Sequence, residues 1–538
     1  MAILRWAICA MLFAALVPQL ASAQSSGPCV RPGPGIAVSP APDLYSSNGT
    51  LTVALNYATG VDEQGRTLFC FVTPSGQESP TLHVNPGDTI IINLANTIPK
   101  PIGAPAEMVS STGKICGSAY MNAASVNMHF HGTNTTPTCH SDEVIHTLVN
   151  AGKTFQYVLH IPSDEPPGLY WYHPHVHGIS SPALQGGATG LIEVEGIANL
   201  QPAVAGLPER FLAVRDQPVT AQAVKNKPMP SWDLSLNYVP VSYPKYIPAI
   251  IQMNPGSQEF WRVANTSADT IVDLQLKYDG KIQPVKIVAL DGVPTGSQDG
   301  TGKGKLLTQS DIFIPPAGRA EFIVTAPSAS VKWATLSTQG IDTGPFGDAD
   351  PPRTLALIQP SSAALDLPRV EERSGPPNPQ RFKDLESATV TARRHLYFSE
   401  VVVPSKGGSG RDRGAFFITV AGQTPVAFSP DNPPAIVTTQ GSVEDWTIEN
   451  HSFEVHEFHI HQIHFLLLAV NGKPVPAAQQ QFYDTYQVPY WSGSGPYPSI
   501  KVRMDFRGHI VGDFVYHCHI LDHEDLGMMA IIRVKRAS

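Results

Sequence analysis

Gly441-Ser442-Val443-Glu444-Asp445-Trp446-Thr447-Ile448-Glu449-Asn450 opens on a glycine turn, continues through a short run of strand-forming residues and ends on an asparagine. A turn residue followed by such a run reads as a β-strand. The same shape occurs twice more. Gly87-Asp88 leads through Thr89-Ile90-Ile91-Ile92-Asn93-Leu94 to Asn96, and Gly256-Ser257 leads through Phe260-Trp261-Arg262-Val263-Ala264 to Asn265. The glycine-to-asparagine offset is nine residues in all three copies. A second echo follows two of them: Ala151-Gly152-Lys153 precedes Phe155-Gln156-Tyr157-Val158-Leu159, and Ala317-Gly318-Arg319 precedes Glu321-Phe322-Ile323-Val324. In the third copy Ile500-Lys501-Val502-Arg503-Met504 stands in that place without the glycine. A repeat of this kind implies repeated structural units. Helical periodicity is scarce, and 50 Pro and 44 Gly with 15% charged residues fit a turn-rich all-β chain. The expectation is three consecutive β-sandwiches. Residues 1–23 form a leader, and the sandwiches span residues 24–199, 200–375 and 376–538. Gly375-Pro376-Pro377-Asn378-Pro379 is the linker signal at the second boundary.

The net charge is −9 and no long basic run occurs, so nucleic-acid binding has no electrostatic footprint. The leader reads as a Sec signal peptide. Arg5 supplies its positive charge, residues 7–17 are an apolar core too short to span a bilayer, and Ala21-Ser22-Ala23 is a cleavage site. The mature chain is expected to begin near Gln24, to be periplasmic or secreted, and to contain no membrane segment. Cys9 leaves with the leader. Cys29, Cys70, Cys116 and Cys139 are an even set in an exported chain, so two disulfides are expected. Of the three possible pairings, one with Cys116–Cys139 would bracket and stiffen the segment around His129 and His131. Asn48, Asn134, Asn265 and Asn450 begin N-x-S/T sequons, which matter only in a eukaryotic secretory pathway.

Ten of the 19 histidines fall in four motifs: His129-Phe130-His131-Gly132, His173-Pro174-His175, His456-Glu457-Phe458-His459-Ile460-His461, and His517-Cys518-His519 with His523 after it. Met528 follows at the end of the last motif. In a strand, residues i and i+2 share a face and i+1 points the other way. His517 and His519 therefore aim to one side and Cys518 to the other. Thiolate, imidazole and thioether together are the donor set of a blue-copper site. Structural zinc fits less well, because the chain has no CxxC.

These motifs resemble those of the multicopper oxidases, the family of laccases, bilirubin oxidases and cuprous oxidases, over nearly the whole mature chain. The resemblance implies three cupredoxin-like Greek-key domains and four copper ions. It implies that His456, Cys518 and His523 bind a type 1 copper with Met528 axial. His129 and His459 would bind a type 2 copper, and His131, His173, His175, His461, His517 and His519 a type 3 pair. The resulting trinuclear cluster would lie between the first and third domains. Asp142 and Glu524 match the places of family acids that feed protons to oxygen. Glu457 departs from the proline usual in the third motif, which questions the loop shape there. His177 and His464 lie outside the family register and read as structural, and His140 and His146 as surface or loop residues.

The implied reaction is one-electron oxidation of a small reductant coupled to four-electron reduction of O2 to water. A phenol or aromatic amine is the first expectation. Cuprous oxidation is the alternative, against which stands the absence of a methionine cluster. Glu454 and Glu457 beside His456 are candidate holders of a cation. A copper-less structural homologue is the reading from another class, but all twelve ligand positions are filled. A monomer is expected.

Overall fold

The computed structural model describes residues 27–100, 107–298, 301, 303–361, 367–371, 380–403 and 412–537. The leader and the Gly375–Pro379 linker signal lie outside the described residues. Among the described residues no helix is long and apolar enough to cross a membrane. The chain is all-β: three consecutive cupredoxin-like sandwiches, with strands running within 43–194, 209–360 and 392–535.

Each repeated run is a strand, Thr89–Asn96, Gln258–Asn265 and Val443–Asn450. The closing asparagines explain the repeat. Each is 1% exposed or less, and each amide donates to two backbone carbonyls. Asn96 bonds Ala124 and Val149, Asn265 bonds Thr270 and Ile314, and Asn450 bonds Glu454 and Val488. Each Oδ1 accepts the N–H two residues on. One buried side chain thus ties a strand end to two loops in every sandwich. The three asparagine N–H groups donate to Lys153, Gly318 and Pro498, so the third copy keeps the contact without the glycine of the other two. Of the four sequons, those at Asn134, Asn265 and Asn450 are buried and only Asn48 is exposed.

In the first sandwich a five-stranded sheet carries Gly168–His173 next to the edge strand His129–His131. In the third, His456–Ile460 lies between Gly512–Cys518 and Thr485–Val488. All four histidine motifs therefore start or end on paired strands, with His173 opposite His129 and His517 opposite His459. Apolar cores fill each sandwich, and a smaller cluster of Leu169, Trp171, Phe211, Ala264, Ala268, Ala317 and Leu521 joins all three. Disulfides link Cys29 to Cys70 and Cys116 to Cys139, the second being the pair that brackets the first histidine motif.

Replacing Asn265 by Ala strands two buried carbonyls, at about 1–3 kcal/mol each. Its thermal midpoint is expected to fall by roughly 5–10 °C. Asn48→Gly, at an exposed turn with φ of 52°, leaves it unchanged. Calorimetry of the two variants checks this, and equal midpoints would refute the role given to the asparagine.

Candidate metal centres

The strand Gly512–Cys518 ends where two donor sets meet. On one side of it lie Cys518, His456 and His523. Cys518 Sγ is 3.6 Å from His456 Nδ1 and 3.8 Å from His523 Nδ1, and the two nitrogens are 3.1 Å apart. Donors bonded to one ion at about 2.0 Å (N) and about 2.3 Å (S) would stand about 3.3–3.7 Å apart. The spacing therefore fits a shared metal. Ser452 Oγ, 2.6 Å from His456 Nε2, fixes that ring, and Phe416 stacks on His523 at 4.4 Å. Met528 is fully buried in the apolar cluster that holds Cys518, and its carbonyl accepts the Cys518 N–H at 3.0 Å. The return of the chain from His523 to Met528 requires Gly527. Its φ is 111°, and a Cβ there would stand 2.7 Å from the Ala427 methyl. His523 is 8% exposed while His456, Cys518 and Met528 are sealed, so solvent reaches this set through His523.

On the other side stand eight imidazoles, each 1% exposed or less. They group as His131, His173 and His519; as His175, His461 and His517; and as His129 and His459 with His131 beside them. Each group mixes the first and third sandwiches. His517 Nε2 is 3.1 Å from His461 Nε2 and 3.2 Å from His175 Nε2. Nitrogens at about 2.0 Å from one tetrahedral ion are about 3.3 Å apart. In five of the rings one nitrogen is anchored: His129 Nδ1 to Asp142, His131 Nε2 to Asp484, His173 Nδ1 to the Pro174 carbonyl, His459 Nδ1 to the Asp484 carbonyl and His517 Nδ1 to the Cys518 carbonyl. The second nitrogens of His129, His131, His173 and His459 are buried without a protein partner. Ligating histidines are held in this way, one nitrogen bonded to a carbonyl or carboxylate and the other left for the ion. Burial, and then in most of these rings the neighbouring imidazoles, hold the basicity well below the usual value, so their lone pairs are free at neutral pH. Copper fits these residues by donor chemistry.

The two acids differ. Asp142 is fully engaged: Oδ1 accepts the Phe130 N–H and faces His129 Nδ1 at 3.0 Å, and Oδ2 accepts Gln462 Nε2 at 2.7 Å. Glu524 is fully buried with neither oxygen in a protein hydrogen bond, and His177 Nδ1 lies 3.6 Å from it. Glu143, the neighbour of Asp142, bonds His146 and Thr147 instead. His464 bonds the Asp291 carbonyl and His140 the Gln156 carbonyl. Glu457 sits in a regular strand with no distortion, but it does not share a surface with Glu454. Alternation turns it away from His456 and buries it against Gln487.

Nothing in the sequence points to Asp484. It accepts from both terminal guanidinium nitrogens of Arg319 at 2.8 and 2.6 Å, bonds His131 Nε2 at 3.1 Å and Thr485 Oγ1 at 3.0 Å. Arg319 belongs to the second sandwich, which supplies none of the histidines. Gly132 makes room for this clamp: its φ is 84°, and a Cβ would stand 2.4 Å from Arg319 Nη2. Gln462, held at φ 58°, likewise reaches from the third sandwich to Asp142 in the first. Both signals lie in tertiary contacts between distant residues, which one sequence does not display.

Asp484→Asn removes the charge that holds Arg319 and loosens His131. A loss of about 10–100-fold in copper affinity at the histidine cluster is expected, by analogy with other outer partners of metal ligands. Copper counting and electron paramagnetic resonance should show a depleted cluster beside an intact blue site. Full copper occupancy resistant to chelator would refute the assignment.

Comparison with known proteins agrees with this geometry. Residues 119–198 and 407–538 each match a multicopper oxidase family profile. The structure is similar to a variant of the multicopper oxidase McoA from Aquifex aeolicus, with TM-score 0.66 and 19% identity over 93% of this chain and 99% of that one. It is similar to a multicopper oxidase from Campylobacter jejuni described as a metallo-oxidase, with TM-score 0.65 and 21% identity over 94% and 96%. It is also similar to the laccase-like CueO of Ochrobactrum sp., with TM-score 0.62 and 19% identity over 92% and 100%. Residues 119–198 and 407–538, which carry all twelve candidate ligands, are thus multicopper oxidase domains.

Proposed function

We propose that this protein is a laccase-like oxidase that takes single electrons from phenols or aromatic amines beside His523 and delivers them to O2. Four coppers bound in the donor sets above would supply one-electron acceptance at Cys518 and four-electron reduction of O2 to water among the eight histidines. The segment His517-Cys518-His519 joins the two sets covalently.

The observation that carries the aromatic reading is the surface around His523. Glu454 Oε2 lies 3.6 Å from His523 Nε2. Phe453 precedes it on the same loop and packs with Phe346 at 5.4 Å and Trp491 at 5.6 Å, and Trp491 packs with Tyr497 at 5.0 Å. Phe346 and Tyr497 are exposed. A ring can lie on this aromatic rim while Glu454 accepts the phenolic proton, which must leave as the electron does. Burial raises Glu454, but His523 and hydrogen bonds outweigh it and hold the carboxyl at about 2, so it is ionised. Glu400 lies beside it, its N–H-accepting oxygen 3.4 Å from the Phe453 backbone. This carboxylate pair is also what a cuprous oxidase could use, and the Campylobacter relative is described as a metallo-oxidase. At the far end Asp142 orients His129, and Glu524, buried beside His177, would hand protons to oxygen.

Two experiments test the reading. Cys518→Ser should remove the intense blue colour and the oxidase activity together; a colourless, fully active variant would sink it. Glu454→Gln should lower kcat/KM for a phenol by about 10²-fold, the usual weight of a positioned base, and should not slow ferrocyanide, which carries no proton. Comparison with Cu(I) as donor decides the alternative: a kcat/KM for Cu(I) far above every phenol and aromatic amine would favour the metal-ion reading.

A further inference from the structure

A fifth cluster of metal-binding residues lies outside the copper centres, on the face of the first sandwich turned to the second. Three adjacent strands build it. Asp43–Tyr45 pairs with Thr81–Val84, which pairs with Gly190–Val194, and the register puts His83 beside both Tyr45 and Glu193. Glu195 follows directly after the third strand, held by its N–H to the Val84 carbonyl. His83 Nε2 is 3.1 Å from Asp43 Oδ1, while Nδ1 is 3.1 Å from Glu193 Oε2 and 3.2 Å from Glu195 Oε1. His83 is 2% exposed and Glu193 1%. Tyr45 stacks on the imidazole at 4.3 Å and screens it from solvent.

Two carboxylates thus face one ring nitrogen, which can donate a single proton. Glu195 takes the hydrogen bond. Glu193 Oε2 is buried with none, although its partner oxygen is held by Arg262. A buried carboxylate oxygen that shares its only cationic neighbour with a second carboxylate is costly, and it points at the same space as Nδ1 and Glu195. The three donor atoms lie within 4.8 Å of one another. Their separations of 3.1 and 3.2 Å fall between the about 3.0 Å and about 3.4 Å donor spacings of octahedral and tetrahedral shells with bonds of about 2.1 Å. Asp43, bonded to the far nitrogen, completes the carboxylate–histidine arrangement that orients and strengthens metal-ligating imidazoles.

We propose that His83, Glu193 and Glu195 form a mononuclear site for a borderline divalent cation of the zinc class, distinct from the copper centres, with Asp43 as the positioning residue behind the ring. One imidazole and two carboxylates suit such an ion better than a soft monovalent one. The site ties three neighbouring strands and, through Arg262, the second sandwich, so its expected effect is on stability rather than on electron transfer. Without an ion the cluster is balanced by a proton: burial lowers the imidazole, and the three carboxylates of Asp43, Glu193 and Glu195 outweigh it and push His83 up to about 12. Cation and proton compete for Nδ1.

The test uses fully copper-loaded protein, so that the copper sites cannot take the probe. Titration with Zn2+ and metal analysis after gel filtration should give one retained zinc per chain, with copper content and blue colour unchanged, and a raised thermal midpoint. Glu195→Gln, at a partly exposed position that should fold normally, is expected to lose the zinc and its thermal shift while keeping copper. Asp43→Asn should retain the site at about 10–100-fold lower affinity. No zinc retained by the wild-type holoprotein, or the same zinc retained by Glu195→Gln, would overturn the proposal.

Discussion

Strand alternation at His517-Cys518-His519 is the constraint on which the metal centres depend. Side chains along a strand alternate faces. The thiol therefore turns into the third sandwich, toward His456 and Met528, and the two imidazoles turn out of it toward the first. The next strand repeats the division: His456 faces inward with Phe458 and Ile460, and His459 and His461 face outward. One sheet thus carries one complete donor set within its own sandwich and half of another on its outer surface. The second set is completed only when the first sandwich docks with His129, His131, His173 and His175.

That docking has an electrostatic cost. Eight imidazoles without solvent cannot be charged together, and burial with mutual repulsion holds them neutral. Neutral rings must each be fixed in orientation, and the groups that fix them come from all three sandwiches. Asp142 holds His129 and is itself held by Gln462 across the interface. Asp484 holds His131 and is held by Arg319 of the second sandwich. The sandwich that contributes no histidine therefore still acts on the site, through a salt bridge whose carboxylate is fully buried.

Much of this was legible in the sequence because it is periodic or local. The glycine-to-asparagine spacing marks a strand whose terminal amide makes the same bonds in each sandwich. The His-x-His spacing marks a face, and the placement of Cys518 between two histidines marks two faces at once. What could not be read depends on residues far apart in the chain. Asp484 is 353 positions from His131 and Arg319 is 165 from Asp484. His83 sits alone in the sequence, and only the pairing of three strands brings Asp43 and Glu193 to it. Glu457 illustrates the converse. Its proximity to Glu454 in sequence suggested a shared acidic surface, which alternation forbids.

Glu457 matters for its backbone rather than its side chain. The proline usual at this point of the motif has no N–H. Here the Glu457 N–H points at Cys518 Sγ at 3.4 Å. Burial makes the thiol harder to ionise, and this N–H, with that of Ile520 and the charge of His523, works against it. Hydrogen bonds to the cysteine sulfur are one of the means by which a protein sets the potential of such a site, and the axial ligand is another. An N–H donor draws electron density from the sulfur, whereas an axial thioether, the role proposed for Met528, would add density to the metal. The two act in opposite directions on how readily an electron is accepted. On the proposed function, the range of reductants would therefore depend on residue 457 as well as on the methionine from which it would ordinarily be judged.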